Sequence, residues 1–212
     1  MKRIGILGSG VVGQVLADGF LRHGHEVMRG SREPVKLDGW KAGAGVKAST
    51  GSFEAAARFG EIVVVAVKGA AAEAVVEACA AALDGKTVID TTNPISGPPV
   101  DGVLPFFTGP NDSLLERLQA KAPRAHFVKA FSCVGSARMV NPEMAGGPPT
   151  MFIAGNDVAA KAEVASLLDR FGWETEDVGA AAAARAIEPL CILWCAPGFL
   201  RGSWAHAFKL LR

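Results

Sequence analysis

Three groups of residues in this 212-residue chain have the types and spacing to do chemistry. The first is Gly8-Ser9-Gly10-Val11-Val12-Gly13, which reads GxGxxG. It lies between an apolar run, Arg3 to Leu7, and a segment with Val12, Val15, Leu16 and Phe20 at helical spacing. A glycine turn between a strand and a helix implies a phosphate cradle. Gly8 permits the tight turn, Gly10 lets the backbone approach a pyrophosphate, and Gly13 lets the helix pack close to the sheet. The helix start then offers unpaired N–H groups and a partial positive charge.

The second group follows the next strand, Glu26 to Arg29, and runs Gly30-Ser31-Arg32. In NAD-binding units a carboxylate ends this strand and bonds the ribose hydroxyls. None stands at the tip here. Ser31 can donate a hydrogen bond to a 2′-phosphate, and Arg32 can grip it with a guanidinium. Lys36, one helical turn on, adds a second positive charge. Each charge-assisted bond is worth roughly 1.5–3 kcal/mol, so NADP(H) is expected to bind tighter than NAD(H) by one or more factors of ten. Glu33 is expected to point away. The competing reading makes Arg29 and Arg32 solvated surface charges.

The third group sits at later strand ends, where doubly wound sheets bind their ligands. Ala66, Val67 and Lys68 should run beside the dinucleotide. Asn93, followed by Pro94, can bond the nicotinamide carboxamide or its ribose; a capping or turn role is as good a reading. Phe131, Ser132 and Cys133 would face the nicotinamide from the substrate side. Cys133 has no base near it in sequence and reads as a buried thiol. His23, His25, His126 and His206 show no catalytic spacing, and Cys191 and Cys195 read as core. No catalytic residue is identified.

The elements that position these groups alternate. Beyond the first two strands, Val46–Ala48, Ile62–Ala66, Thr87–Asp90 and His126–Ala130 read as strands. Helical stretches stand at Val11–His23, Ser52–Phe59, Ala70–Leu83 and Asp112–Lys121. The run Ile62 to Ala66 is continuously apolar, as in a parallel strand buried on both faces. The pattern is α/β: a Rossmann-like, doubly wound, mostly parallel sheet with a helical C-terminal cap. Residues 1–145 form the dinucleotide-binding part and 146–212 an extension packed on it. In that extension, strands are expected at Thr150–Ala154 and Thr175–Val178, with a helix at Asp157–Phe171 between them. Helical chain follows from Ala180, broken at Pro197-Gly198. A last helix is expected from Phe199 to Leu211, its stripe being Leu200, Trp204, Phe208 and Leu211. Asn93 to Pro110 holds five of the twelve prolines and reads as a wall or cover over the site.

Composition excludes other classes. Lys and Arg number 22 against 21 Asp and Glu, which gives no electrostatic case for nucleic acid or an anionic membrane. Four scattered cysteines make neither a zinc site nor a disulfide framework. With no tyrosine, mechanisms that need a phenol as general acid fall away. The longest apolar stretch, Leu190 to Leu200, contains Pro197 and Gly198 and is read as too short for a bilayer. No signal-peptide pattern follows Met1, so a cytoplasmic location is expected.

Gly8–Gly13 with Gly30-Ser31-Arg32, then Asp90-Thr91-Thr92-Asn93-Pro94, then Val128-Lys129-Ala130-Phe131, resemble the NADP oxidoreductases that use the deazaflavin coenzyme F420. The same set is similar to the cytosolic NADPH-binding domain of the six-transmembrane ferric reductases. The likeness extends over nearly the whole chain, through Gly155 with Asp157 and on to Glu188 and Lys209-Leu210-Leu211. It implies hydride transfer between NADPH and a flavin-like ring, deazaflavin or flavin. It also implies that Ser31, Arg32 and Lys36 bind the 2′-phosphate and that Ser9, Gly10, Val11 and Val12 line the diphosphate. Asn93 and Pro94 would sit near the nicotinamide, and a homodimer would form through the C-terminal helices. After the sixth strand the archaeal members carry a His and then a Pro, where this chain has Ser132 and Gly135. Two other readings use the same N-terminal unit: a reductase of a small carbonyl or imine, and a non-catalytic NADPH sensor.

Overall fold

The computed structural model describes every residue from Met1 to Arg212. Eight strands form one sheet: β1 (Arg3–Leu7), β2 (Glu26–Gly30), β3 (Ala48–Gly51), β4 (Ile62–Val65), β5 (Thr87–Asp90), β6 (His126–Lys129), β7 (Thr150–Gly155) and β8 (Glu174–Asp177). Their spatial order is β3-β2-β1-β4-β5-β6-β7-β8. The first six are parallel; β7 runs antiparallel to β6, pairing Val128 with Gly155 and Lys129 with Ala154. The helices are α1 (Val11–Arg22), α2 (Asp38–Gly43), α3 (Phe53–Phe59), α4 (Gly69–Leu83), α5 (Leu114–Lys121), α6 (Val158–Arg170), α7 (Ala184–Ile187) and α8 (Leu190–Arg201).

The apolar run of β4 shows why the sheet is covered on both sides. All four of its residues are buried. Ile62 and Val64 join Leu16 and Phe20 of α1 and Val164 and Leu168 of α6. Val63 and Val65 join Ala56 of α3, Val76 of α4 and Leu115 of α5. Successive side chains of a strand point to opposite faces, so one β-branched run serves two cores. Three helices start on side-chain caps. Ser52 accepts from the Ala55 N–H, Ser113 from Glu116 and Asp157 from Ala160, at 3.1, 3.3 and 2.7 Å.

The topology creates one crevice. The chain winds outward from β1 to β2 and β3, then returns to place β4 on the other side of β1. The connections after β1 and β4 therefore diverge, and a gap opens at their carboxyl ends.

Three expectations need correction. The third strand is Ala48–Gly51, not Val46–Ala48: Gly45 turns the chain at φ 80° and Val46 is fully exposed. Before it stand two elements that the sequence reading lacked, a 3-10 turn at Pro34–Leu37 and α2. The expected helix Phe199–Leu211 is absent. Helix α8 continues through Pro197 and stops where Gly202 takes a left-handed φ of 68°. The tail then turns back, and its backbone finds partners on β7 instead of along a helix. The Thr150 N–H donates to the Phe208 carbonyl at 2.9 Å, and the Leu210 N–H to Thr150 Oγ1 at 3.0 Å. Trp204 packs on Trp194 and Phe199, so Leu200, Trp204, Phe208 and Leu211 do not share a helix face.

The apolar stretch Leu190–Leu200 is part of a longer helical run, Ala181–Arg201, which by length and composition alone could span a bilayer. In the fold Ile187, Glu188, Cys191 and Trp194 of this run are buried against the sheet and its loops. The Asn93–Pro110 connection is a loose hairpin held by Ser96–Pro105 and Phe107–Pro94 backbone bonds, and its tip at Gly102 packs on Leu200 of α8.

Candidate functional site

The glycine turn opens the crevice. A methyl group on Gly8 would overlap the Ala66 carbonyl, and one on Gly13 would come within 2.7 Å of the Gly8 carbonyl oxygen. Those two glycines are required by the protein's own packing. Gly10 is different, because nothing lies within 4 Å of where its Cβ would be. The protein does not use that space, and a phosphate can. Gly10 also caps α1 without any side-chain acceptor, so the first N–H groups of the helix face the same opening.

A cavity of about 690 Å³ starts at this turn. Ser9, Gly10, Val11 and Val12 form its floor, and Ala66, Val67 and Lys68 its inner wall. Phe53 and one side of α4, Ala71, Ala74, Val75 and Ala78, form an apolar wall whose small side chains leave room for a flat ring. Ser31, Arg32 and Lys36 stand at the far corner. The crevice thus gathers ten of the residues expected to hold a dinucleotide; Gly8 and Gly13 shape it from behind.

Glu33 corrects an expectation. It lines the same corner instead of pointing away, and its Oε1 lies 2.7 Å from Lys36 Nζ. That lysine and its hydrogen bond hold the Glu33 carboxyl below its ordinary pKa. Ser31 Oγ accepts from the Glu33 N–H at 3.2 Å, which leaves the hydroxyl proton free to donate to a ligand. Arg29 departs from the reading of it as a solvated surface charge, and it does not line the cavity either. It is 1% exposed, stacked 4.8 Å over the Trp40 ring, with Nη2 donating to the Gly10 carbonyl at 3.3 Å. A long charged side chain next to Gly30 at the end of a strand was the available sequence signal for it.

Asn93, Pro94, Phe131, Ser132 and Cys133 lie at the carboxyl ends of β5 and β6, outside the lining of that cavity. Asn93 Nδ2 donates to the Ser132 carbonyl at 2.7 Å. This leaves Asn93 Oδ1 and Ser132 Oγ buried with no protein partner. Buried polar atoms are seldom left so, and an acceptor beside a hydroxyl suits a carboxamide. Phe131 has a φ of 61°, a costly conformation for a bulky residue, and such strain clusters at functional sites. Burial pushes the Cys133 thiol up to about 12, so it is no thiolate nucleophile.

Beneath this end lies a charge network that the sequence reading missed. Lys129 is fully buried, with Nζ 2.6 Å from Asp90 Oδ2, 2.8 Å from Glu188 Oε1 and 2.9 Å from the Thr92 carbonyl. Burial alone would lower its pKa, but the two carboxylates outweigh that and raise it. Glu188 also accepts from the first N–H groups of α5, those of Leu114 and Leu115, at 3.0 and 3.1 Å. Asp90 Oδ1 accepts from the Thr92 N–H at 2.9 Å and from its hydroxyl at 2.6 Å. A lysine inside the apolar run His126–Ala130 was the available signal.

Residues 3–94 match the family model described as NADP oxidoreductase, coenzyme F420-dependent. The solved structure of a candidate F420-dependent NADP-reductase from Arthrobacter sp. FB24 is 34% identical, covers both chains completely and superposes with a TM-score of 0.92. The chain belongs to this family of F420-dependent NADP oxidoreductases. As a member, it is an NADP-dependent oxidoreductase, and the fold is the expected Rossmann-like one. Metalloreductase STEAP3 of Rattus norvegicus is 30% identical over 205 residues, which are 93% of this chain. The chain spans 39% of STEAP3's length. An imine reductase of Streptomyces aurantiacus, at 19% identity over 94% of this chain and 63% of its own, shares the fold with a TM-score of 0.67.

Proposed function

We propose that this family member binds NADPH in the crevice and exchanges a hydride with a flavin-like ring, a deazaflavin or a flavin. The observation that carries the reading is the far corner of the cavity. A free hydroxyl proton on Ser31 and the charges of Arg32 and Lys36 stand across from the unoccupied volume beside Gly10. That spacing suits a dinucleotide whose diphosphate rests on α1 and whose 2′-phosphate rests on Ser31 and Arg32. Phe53 and the alanine face of α4 would bury the adenine, while Asn93 Oδ1 and Ser132 Oγ would orient the carboxamide.

When bound, NADPH supplies the hydride, and the acceptor takes it up with a proton from solvent. The protein's part is to align the two rings and exclude water. The site fits that division of labour. Lys129 spends its N–H donors on Asp90, Glu188 and Thr92, and Cys133 stays protonated. A carbonyl or imine reductase needs a proton donor of matched acidity at this end; Lys129 is committed to three acceptors, and the Cys133 thiol, pushed up to about 12, is too weak an acid. The likeness to imine reductases carries the fold only.

The exposed apolar side chains of α8, Leu193, Phe199 and Leu200, are the surface through which we expect two copies to pair. Mixing purified protein with NADPH, then with a deazaflavin, FMN, FAD or a ferric chelate, tests the acceptor. Loss of the reduced nicotinamide's absorbance is expected with a ring acceptor. Turnover only with a cyclic imine or ketone, or with nothing offered, overturns the reading.

A further inference from the structure

Arg29 carries a buried charge for which the protein provides no counter-ion. It sits on β2, two residues before Ser31 and directly behind Gly10. No carboxylate lies within ion-pair distance of its guanidinium. The nearest acid, Asp18, acts on it only from a distance and is itself hydrogen-bonded to Trp40 Nε1 at 2.7 Å. Nη2 reaches the Gly10 carbonyl, Trp40 covers one face of the plane, and Nε is buried without a partner. A cation taken out of water is costly unless it is paired. Here the cost is offset only in part by one carbonyl and one aromatic face.

The missing charge has an obvious place to come from. Gly10 separates the guanidinium from the open volume at the start of α1, and Ser31, just past the end of the same strand, lines that cavity. We propose that Arg29 is a second, buried cation of the dinucleotide site, and that a phosphate of the bound dinucleotide completes its charge balance. The proposal rests on reading the crevice as the NADPH site. Arg29 acts through the turn, holding the Gly10 carbonyl back so that the neighbouring N–H groups face outward. It adds a positive field that the buried surroundings screen weakly. Its position two residues before Ser31 makes it a positioning residue common to the diphosphate and the 2′-phosphate.

Two variants and two cofactors test this. Arg29→Met keeps the length and removes the charge; Arg29→Lys keeps the charge and loses the planar stack. NADPH affinity is expected to fall about tenfold in Arg29→Met and to stay within about threefold in Arg29→Lys. Without ligand, Arg29→Met is expected to melt at or above the wild-type temperature, because an unpaired buried charge has gone. The rise in melting temperature on adding NADPH should shrink. An equal loss for NADH assigns the counter-charge to the diphosphate, whereas a loss confined to NADPH assigns it to the 2′-phosphate. Unchanged affinity in Arg29→Met overturns the proposal. So does a lowered ligand-free melting temperature in Arg29→Met with equal losses in both variants, since Arg29 is then only a prop for the turn. Wild-type protein that fails to bind NADPH overturns the crevice reading as well; binding by the wild type with no effect of Arg29→Met overturns only the role of Arg29.

Discussion

Lys129 Nζ lies 2.8 Å from Glu188 Oε1 in a place closed to water, and this contact ties the parallel sheet to the C-terminal extension. Glu188 stands between α7 and α8 in the C-terminal extension, Lys129 on β6, the strand that ends the parallel set. Through Glu188 the network also reaches the start of α5, and through Asp90 and Thr92 it fixes the turn that carries Asn93.

Replacing Glu188 by Ala should therefore cost about 3–5 kcal/mol of folding stability, because it takes one acceptor from the buried Lys129 and leaves the buried Leu114 and Leu115 N–H groups without a partner. Urea titration measures this. A change within error of zero would show that the contact contributes nothing to the fold. For the same reason, a chain cut after Ala145 is expected not to fold stably.

Gly8 and Gly10 should respond oppositely to alanine. Gly10→Ala meets no protein atom, so the melting temperature should hold while dinucleotide affinity drops by at least about tenfold. Gly8→Ala forces a methyl into the Ala66 carbonyl, so stability itself should fall. Calorimetric titration beside a thermal melt separates the two outcomes. If Gly10→Ala binds NADPH normally, the space beside Gly10 is not the phosphate cradle.

Arg32→Ala should lower NADPH affinity by about 10- to 100-fold and leave NADH affinity nearly unchanged. Its guanidinium is placed to meet only the group in which the two cofactors differ. A preserved ratio of the two affinities would remove Arg32 from the 2′-phosphate site.

His25 gives a pH dependence with a definite sign. Burial holds its pKa below the ordinary 6.5, with its ring edge-on to Phe20 and its Nδ1 facing the Lys2 N–H. The unfolded chain therefore takes up the proton first as pH falls through about 6.5, and folding stability declines below that point. Above it, this residue adds no slope. His25→Gln should flatten the melting-temperature profile between about pH 7 and 5. An unchanged slope in that window would mean that the histidine is hydrated in the fold.

What the sequence determined by itself was local. Strand and helix periods, the glycine turn and the Ser31-Arg32 pair follow from spacing along a few residues. Asp90, Lys129 and Glu188 are far apart in sequence, and each was visible only as a charge in an apolar setting. Their union came from the order of the strands and the return of the C-terminal helices. The same is true of Arg29, whose burial depends on where α2 sets Trp40. The tail was misread because periodicity describes which side chains can share a helix face. It does not weigh a helix against pairing with β7, which exists only once the sheet has formed. Tertiary structure also decided where Glu33 points, since a carboxylate beside both Lys36 and solvent is positioned by a turn whose geometry composition does not set.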